Sequence, residues 1–204
     1  MARRGDQLRE HILWAAKDVF LEMGFERASM DVVAARAETS KRSLYAHFES
    51  KEKLFLAVID LVRGLFLARL KMPADYADQP AEALTLFCAQ YLRGVLYQAS
   101  IQMLRVSMAE TARFPQGAQQ HYDVVFGEVY ARLAAYLKAT FGLSPKASAD
   151  AAQRLLGQVL YPRLPRALFG VDPLIESLER DAGEIDLKPI RKAVAELIES
   201  LPKP

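Results

Sequence analysis

One cysteine, Cys88, stands in 204 residues, so no intrachain disulfide can staple this chain and no Cys-based zinc site is available. Its three histidines, His11, His47 and His121, are scattered and offer no metal-ligand spacing. No apolar run approaches the roughly 20 residues that a membrane-spanning helix needs. The first residues carry Arg3, Arg4, Asp6 and Arg9 where a signal peptide would have an apolar core. No metal, cofactor or membrane partner is expected, and the chain reads as cytoplasmic. A dominant charge is missing too. Lys and Arg number 27 against 25 Asp and Glu, a net +2, so bulk electrostatics nominate no nucleic-acid partner. The excess is slightly uneven, with 13 basic and 10 acidic residues before position 73. Catalytic signatures are absent as well: there is no GxSxG elbow, HExxH, Walker loop or GxGxxG. An enzyme is not expected.

What is present is helical patterning. Leu8, Ile12, Ala16, Val19, Phe20 and Met23 fall in steps of three and four, the stripe of an amphipathic helix over 7–23. Gly24 suits its end. Ser29 can cap a short helix to 36, with Asp31 in its first turn and Val32, Val33 and Ala34 inside. Ser40 can cap another over 41–48, burying Leu44 and Phe48. Ser50 can cap a fourth that runs towards Lys71 with Leu54, Val58 and Leu65 on one face. After a polar stretch bracketed by Pro73 and Pro80, helical patterns resume at about 80–98, 101–112, 117–141, 146–161 and 187–201. No long run alternates with period two. The expected fold is all-α: an N-terminal three-helix domain (1–50), then a connector helix and a larger helical bundle (51–204).

Two short helices joined by a turn of a few residues have helix-turn-helix dimensions. The second would expose Lys41, Arg42 and Ser43 at its start, where such a helix reads base edges. Arg or Lys can donate to guanine O6 and N7, and a serine hydroxyl to several edges. Ser29, Ser40, Tyr45, His47 and Lys51 are the expected companions. Tyr45 and His47 would donate to phosphate oxygens, and Lys51 would meet a phosphate at the start of the fourth helix. Double-stranded DNA is the expected partner.

The same stretch resembles the DNA-binding domain of the tetracycline-repressor (TetR/AcrR) family. The resemblance is carried by Ile12, Ala15-Ala16, Phe20, Gly24-Phe25, Ala28-Ser29-Met30, Val33-Ala34, Ala37, Ser40-Lys41-Arg42-Ser43-Leu44-Tyr45, His47-Phe48 and Ser50-Lys51-Glu52-Lys53-Leu54. It implies a dimeric regulator, usually a repressor, that leaves its operator when a small ligand enters the C-terminal domain. It also implies DNA contacts at Ser29, Lys41, Arg42, Tyr45, His47 and Lys51, with Arg3 and Arg4 as a further arm. One departure is Glu38, where the family usually places glycine in the turn. If that residue is left-handed, glutamate costs about 1 kcal/mol.

Beyond residue 50, Arg105 to Glu110 and Arg113-Phe114-Pro115 look like the ligand-domain helix and turn of an AcrR-like branch. The apolar and aromatic side chains Phe66, Phe87, Tyr91, Met103, Met108, Tyr122, Phe126 and Tyr130 are the candidates for lining an effector cavity, with Gln90, Tyr91 or Tyr122 as orienting polar groups. The expected effector is a small apolar or aromatic molecule. On the last helix Leu187, Ile190, Val194, Leu197, Ile198 and Leu201 form an apolar stripe. Together with 146–161 it is expected to form a homodimer, hence a near-palindromic operator. The alternative is a helix-turn-helix regulator with no effector, its C-terminal domain serving only dimerisation or protein contacts.

Overall fold

The computed structural model describes residues 4–178 and 185–202. It is 79% helical, and its described residues form no strand. The helices are α1 (Arg4–Arg27), α2 (Met30–Arg36), α3 (Lys41–His47), α4 (Lys51–Arg69), α5 (Pro80–Leu96), α6 (Gln98–Ala109), α7 (Pro115–Tyr122), α8 (Glu128–Phe141), α9 (Pro145–Leu160), α10 (Arg163–Leu168) and α11 (Leu187–Ser200). The chain divides into two compact units, Met1–Leu65 with Gln102–His121, and Phe66–Ile101 with Tyr122–Pro204. This division does not coincide with the boundary expected at residue 50. Most of α4, α6 and α7 belongs with the N-terminal helices because it completes one hydrophobic core.

That first core explains the N-terminal pattern. Ile12, Ala16, Val19 and Phe20 of α1 are buried with Val33 of α2, Leu44 of α3, and Leu54, Phe55 and Val58 of α4. Gly24 has φ 73°, so the chain breaks its helical course there and returns Phe25 against Phe20, ring centroids 5.9 Å apart. Phe55 meets both rings edge-on at 5.1 Å. Each such buried side chain contributes roughly 1.5–3 kcal/mol by leaving water. Arg36 closes the outside of this unit with a two-armed bond to Glu22 at 2.9 and 2.8 Å.

In the second unit α5 is buried nearly all round, with Leu84, Phe87, Cys88, Tyr91, Leu92 and Val95 inaccessible. Such a helix is central, not a surface helix. Burial pushes the Cys88 thiol up to about 12, so it serves as a small apolar group. Helices α8 and α9 form a hairpin around Gly142 (φ 64°), with Ser144 capping α9 and Pro145 in its first turn. The expected single helix over 117–141 instead starts at Pro115 and widens into a π-helical turn at Asp123–Gly127. There Tyr91 donates its hydroxyl to the Val125 carbonyl at 3.0 Å. Helix α10 lies where Pro162 and Pro165 suggested a break. Both prolines sit at its start, where a missing N–H costs nothing.

The C-terminal stripe needs a correction. Ile190, Val194 and Leu197 are buried within the chain itself, where α11 packs on α5 and α9. The stripe already has a cover, so it is not what a partner chain must shield. The exposed large apolar groups of this unit lie elsewhere, at Met72, Tyr122, Tyr161, Phe169 and Val171.

Candidate nucleic-acid interface

Local capping builds the interface. The Ser29 side chain accepts from the Val32 N–H at 3.2 Å and starts α2. Ser40 accepts from the Ser43 N–H at 3.1 Å and starts α3, and the two hydroxyls lie 2.9 Å apart. Between them α2 is closed by the Thr39 N–H on the Ala34 carbonyl and the Glu38 N–H on the Ala35 carbonyl. This closure requires a left-handed residue, and Glu38 supplies it with φ 47°. The strain anticipated for glutamate at this position is therefore present, at about 1 kcal/mol. Leu44 and Phe48 sink into the core, which turns Lys41, Arg42 and Tyr45 outward. Tyr45 is half exposed and His47 half-buried.

The nominated polar groups do not all stand free. Lys41 donates to Asp31 across the α2–α3 junction, Nζ to Oδ2 2.7 Å, and this bond holds its proton more tightly than usual. Arg42 is exposed. Lys51 does not project towards a phosphate: its amine donates to the carbonyls of Phe25 (3.0 Å), Ala28 (3.1 Å) and Glu26 (3.4 Å), and it lies 4.2 Å from the Phe25 ring centroid. The reason is local. The end of α1 leaves carbonyls without helical partners, and a lysine at the start of α4 reaches three carbonyls at and just after that end. In this structure Lys51 caps the end of α1. The expected arm, Arg3 and the side chain of Arg4, lies outside the described residues.

Sequence reasoning placed Arg113 in a turn but missed what it fastens. Its guanidinium reaches Glu26 at 2.8 Å and Glu52 at 3.4 Å and lies 4.9 Å from the Phe25 ring centroid, while Phe114 packs on Phe25 and Phe55. The turn after α6 is thus fastened to the end of α1 and the start of α4. Neither residue belongs to a helical stripe, so periodicity had no way to flag them.

The effector candidates separate. Phe66, Phe87, Gln90, Tyr91, Tyr122 and Phe126 belong to the second unit. Phe66 lies edge-on to Tyr91, close over Gly94, where a Cβ would meet its ring at 3.1 Å. Tyr122 packs on Phe126 and, with Tyr130, Ala131, Ala134, Ala149 and Gln153, lines a pocket of about 380 Å³. Met103 is corrected: it is fully buried in the core of the first unit. Met108 is 55% exposed and Tyr122 56%, so both lie at the surface. Tyr91 is not an available orienting group, since its hydroxyl serves Val125. His121 is buried with Nδ1 unpaired, and burial lowers it to about 4, so it is neutral at pH 7. Among the described residues no group of three His, Cys, Asp or Glu could hold a metal ion.

With this geometry in hand, comparisons decide the lineage. The profile of bacterial regulatory proteins of the tetR family matches residues 12–58, and that of the AefR-like transcriptional repressor C-terminal domain matches residues 82–183. The chain belongs to the TetR family. Members of this family bind operator DNA and typically act as dimers, and the relatives are regulators, not enzymes. The HTH-type transcriptional repressor NicS of Pseudomonas putida is 37% identical over 84 residues, 41% of this chain and 39% of that one. The HTH-type transcriptional activator FasR of Mycolicibacterium smegmatis is 47% identical over 62 residues, 28% of each chain. These matches span well under half of the curated relatives' length. Among solved structures, a TetR-family regulator from Mesorhizobium loti shares the fold, with TM-score 0.78 and 22% identity over 97% of this chain and 98% of that one. The flavonoid-responsive regulator FrrA aligns with TM-score 0.72 and 26% identity, covering 95% and 94%. No helix among the described residues of this TetR-family chain is long and apolar enough to cross a membrane.

Proposed function

We propose that this chain is a ligand-responsive repressor that binds a near-palindromic, double-stranded operator as a homodimer and leaves it when a small apolar or aromatic effector binds. The observation that carries the DNA half is the outward set Lys41, Arg42 and Tyr45 on a helix anchored by buried Leu44 and Phe48. In this reading α3 enters the major groove, Arg42 reads a base edge, and Tyr45 and His47 donate to phosphates. The hydroxyls of Ser29, Ser40 and Ser43 act chiefly through the caps that hold these groups in place. Repression follows the AefR-like match. Self-association then uses the outward faces of α9 and α11 and the exposed Tyr161, Phe169 and Val171.

Selection from a random duplex library is expected to enrich a two-fold-related sequence. Binding to it should fall by orders of magnitude between low and moderate salt, as displaced counterions dictate. Arg42→Ala should lose about 1–3 kcal/mol of discrimination at one base pair per half-site, measured by competition with single-site variants. Enrichment of no sequence at low salt would refute the DNA reading.

The effector half rests on Phe66, Phe87, Gln90, Tyr122 and Phe126 in one unit, and on the flavonoid-responsive neighbour. A panel of flat aromatic compounds should contain one that raises the unfolding temperature. A tenfold weaker operator affinity requires that compound to prefer the released state by about 1.4 kcal/mol, and DNA must weaken its binding equally. Equal affinity for free and operator-bound protein would remove induction and leave a regulator whose C-terminal unit only dimerises.

A further inference from the structure

The start of α2 contributes an acid to the face that Lys41 occupies. Asp31 Oδ2 lies 2.7 Å from Lys41 Nζ, with the two side chains 60% and 62% exposed. A carboxylate on a surface that must approach phosphates lowers affinity for every duplex, so its presence beside a reading lysine calls for a physical account. We propose that Asp31 is a specificity-determining residue, which holds Lys41 over the recognition face and withholds its ammonium from indiscriminate phosphate contact.

Two kinds of DNA contact are at stake. Phosphate contacts carry no sequence information, and a flexible lysine stem swings to whichever phosphate is nearest. Held by Asp31, the ammonium engages one N–H and keeps two for an acceptor within reach of the start of α3. That position favours a base edge. The other nominated cation, Lys51, is drawn into the end of α1, so Lys41 and Arg42 are the nominated cations left on this surface, and restraining one of them changes the balance measurably. The bond itself is exposed and adds little to stability. Its effect belongs to binding.

The inference rests on α3 being the DNA-reading helix. The test uses the full-length protein, a duplex enriched by selection from a random library, and a scrambled duplex of the same length and composition. Affinities are read by fluorescence anisotropy between 50 and 200 mM salt, on the order of the range over which phosphate contacts dominate. Asp31→Asn should raise scrambled-duplex affinity roughly 3- to 10-fold and steepen its log–log salt slope by about 0.9, one added phosphate contact. Enriched-duplex affinity should rise by less, so the specificity ratio falls at least about threefold. In a Lys41→Gln background, Asp31→Asn should leave that ratio unchanged. Asp31→Ser, which also suits a helix start, should repeat the result if the Asn variant loses stability. Equal gains on both duplexes would mean plain charge repulsion and overturn the proposal, as would no change on either. If Arg42→Ala and Lys41→Gln both leave the two duplexes unaffected, the recognition-helix reading itself fails, a result distinct from the Asp31 outcome.

Discussion

Leu197→Asp should unfold the C-terminal unit and should not yield folded monomers. Leu197 is 5% exposed on the face of α11 that packs against α5 and α9. An aspartate there must either bury a charge without a partner or take up a proton, and either way it loses the leucine contacts. Truncation to alanine at such a site costs about 2–5 kcal/mol by cavity formation, and the buried carboxyl adds to that. Against a total stability of about 5–15 kcal/mol, the loss removes most of the folded population at moderate temperature. Circular dichroism melts with size-exclusion chromatography decide the matter. A soluble monomer with an unchanged melt would mean that α11 is not held by α5 and α9. The complementary change, Tyr161→Asp at a position 73% exposed, should leave the melt of the dilute protein nearly unchanged and weaken self-association.

Lys51→Ala should be a stability variant before it is a DNA-binding variant. The substitution strips a charged donor from the carbonyls of Phe25, Glu26 and Ala28 and removes a cation from the Phe25 ring. Hydrogen bonds to a charged group are worth about 1.5–3 kcal/mol and the cation–π contact about 0.5–2 kcal/mol, partly overlapping. A net loss of about 2–3 kcal/mol lowers the unfolding temperature by roughly 5–10 °C for a chain of this size. Lys51→Met keeps the apolar stem yet should lose nearly as much, because the ammonium supplies the contacts. At temperatures where the variant is fully folded, the salt slope of operator binding should match the parent. An unchanged melt with a slope shallower by about 0.9 would instead assign Lys51 to a phosphate.

The two predictions show where one-dimensional reading succeeded and where it misled. The helices after Ser29, Ser40 and Ser50 needed little more than spacing and a cap: each serine side-chain oxygen accepts a backbone N–H of the first turn that follows it. Glu38 was flagged because the resembled family usually places glycine there, and its φ of 47° shows that this turn residue is left-handed. Lys51 was read only as an anion partner, yet a lysine beside a helix start carries two meanings, an anion partner or a cap for a neighbouring helix. Which one holds depends on where the end of α1 lies in space. Met103 and Met108 part company for a related reason. Periodicity places both on one helix, but it does not say which unit's core receives one and leaves the other wet.

The sequence alone therefore determined what local chemistry controls. It set the all-α class, the caps and turns of the helix-turn-helix, the buried pair Leu44 and Phe48, and the consequent outward direction of Lys41, Arg42 and Tyr45. These follow from bonds and sterics within about one helical turn, which neighbouring residues specify without help. Tertiary structure decided what depends on meetings between distant segments: α11 covered by α5 and α9, Arg113 fastened to Glu26 and Glu52, Lys51 drawn onto α1, and Asp31 laid on Lys41. In each case a side chain has several partners of equal chemical merit along the chain, and only the packing of the core selects the one within reach.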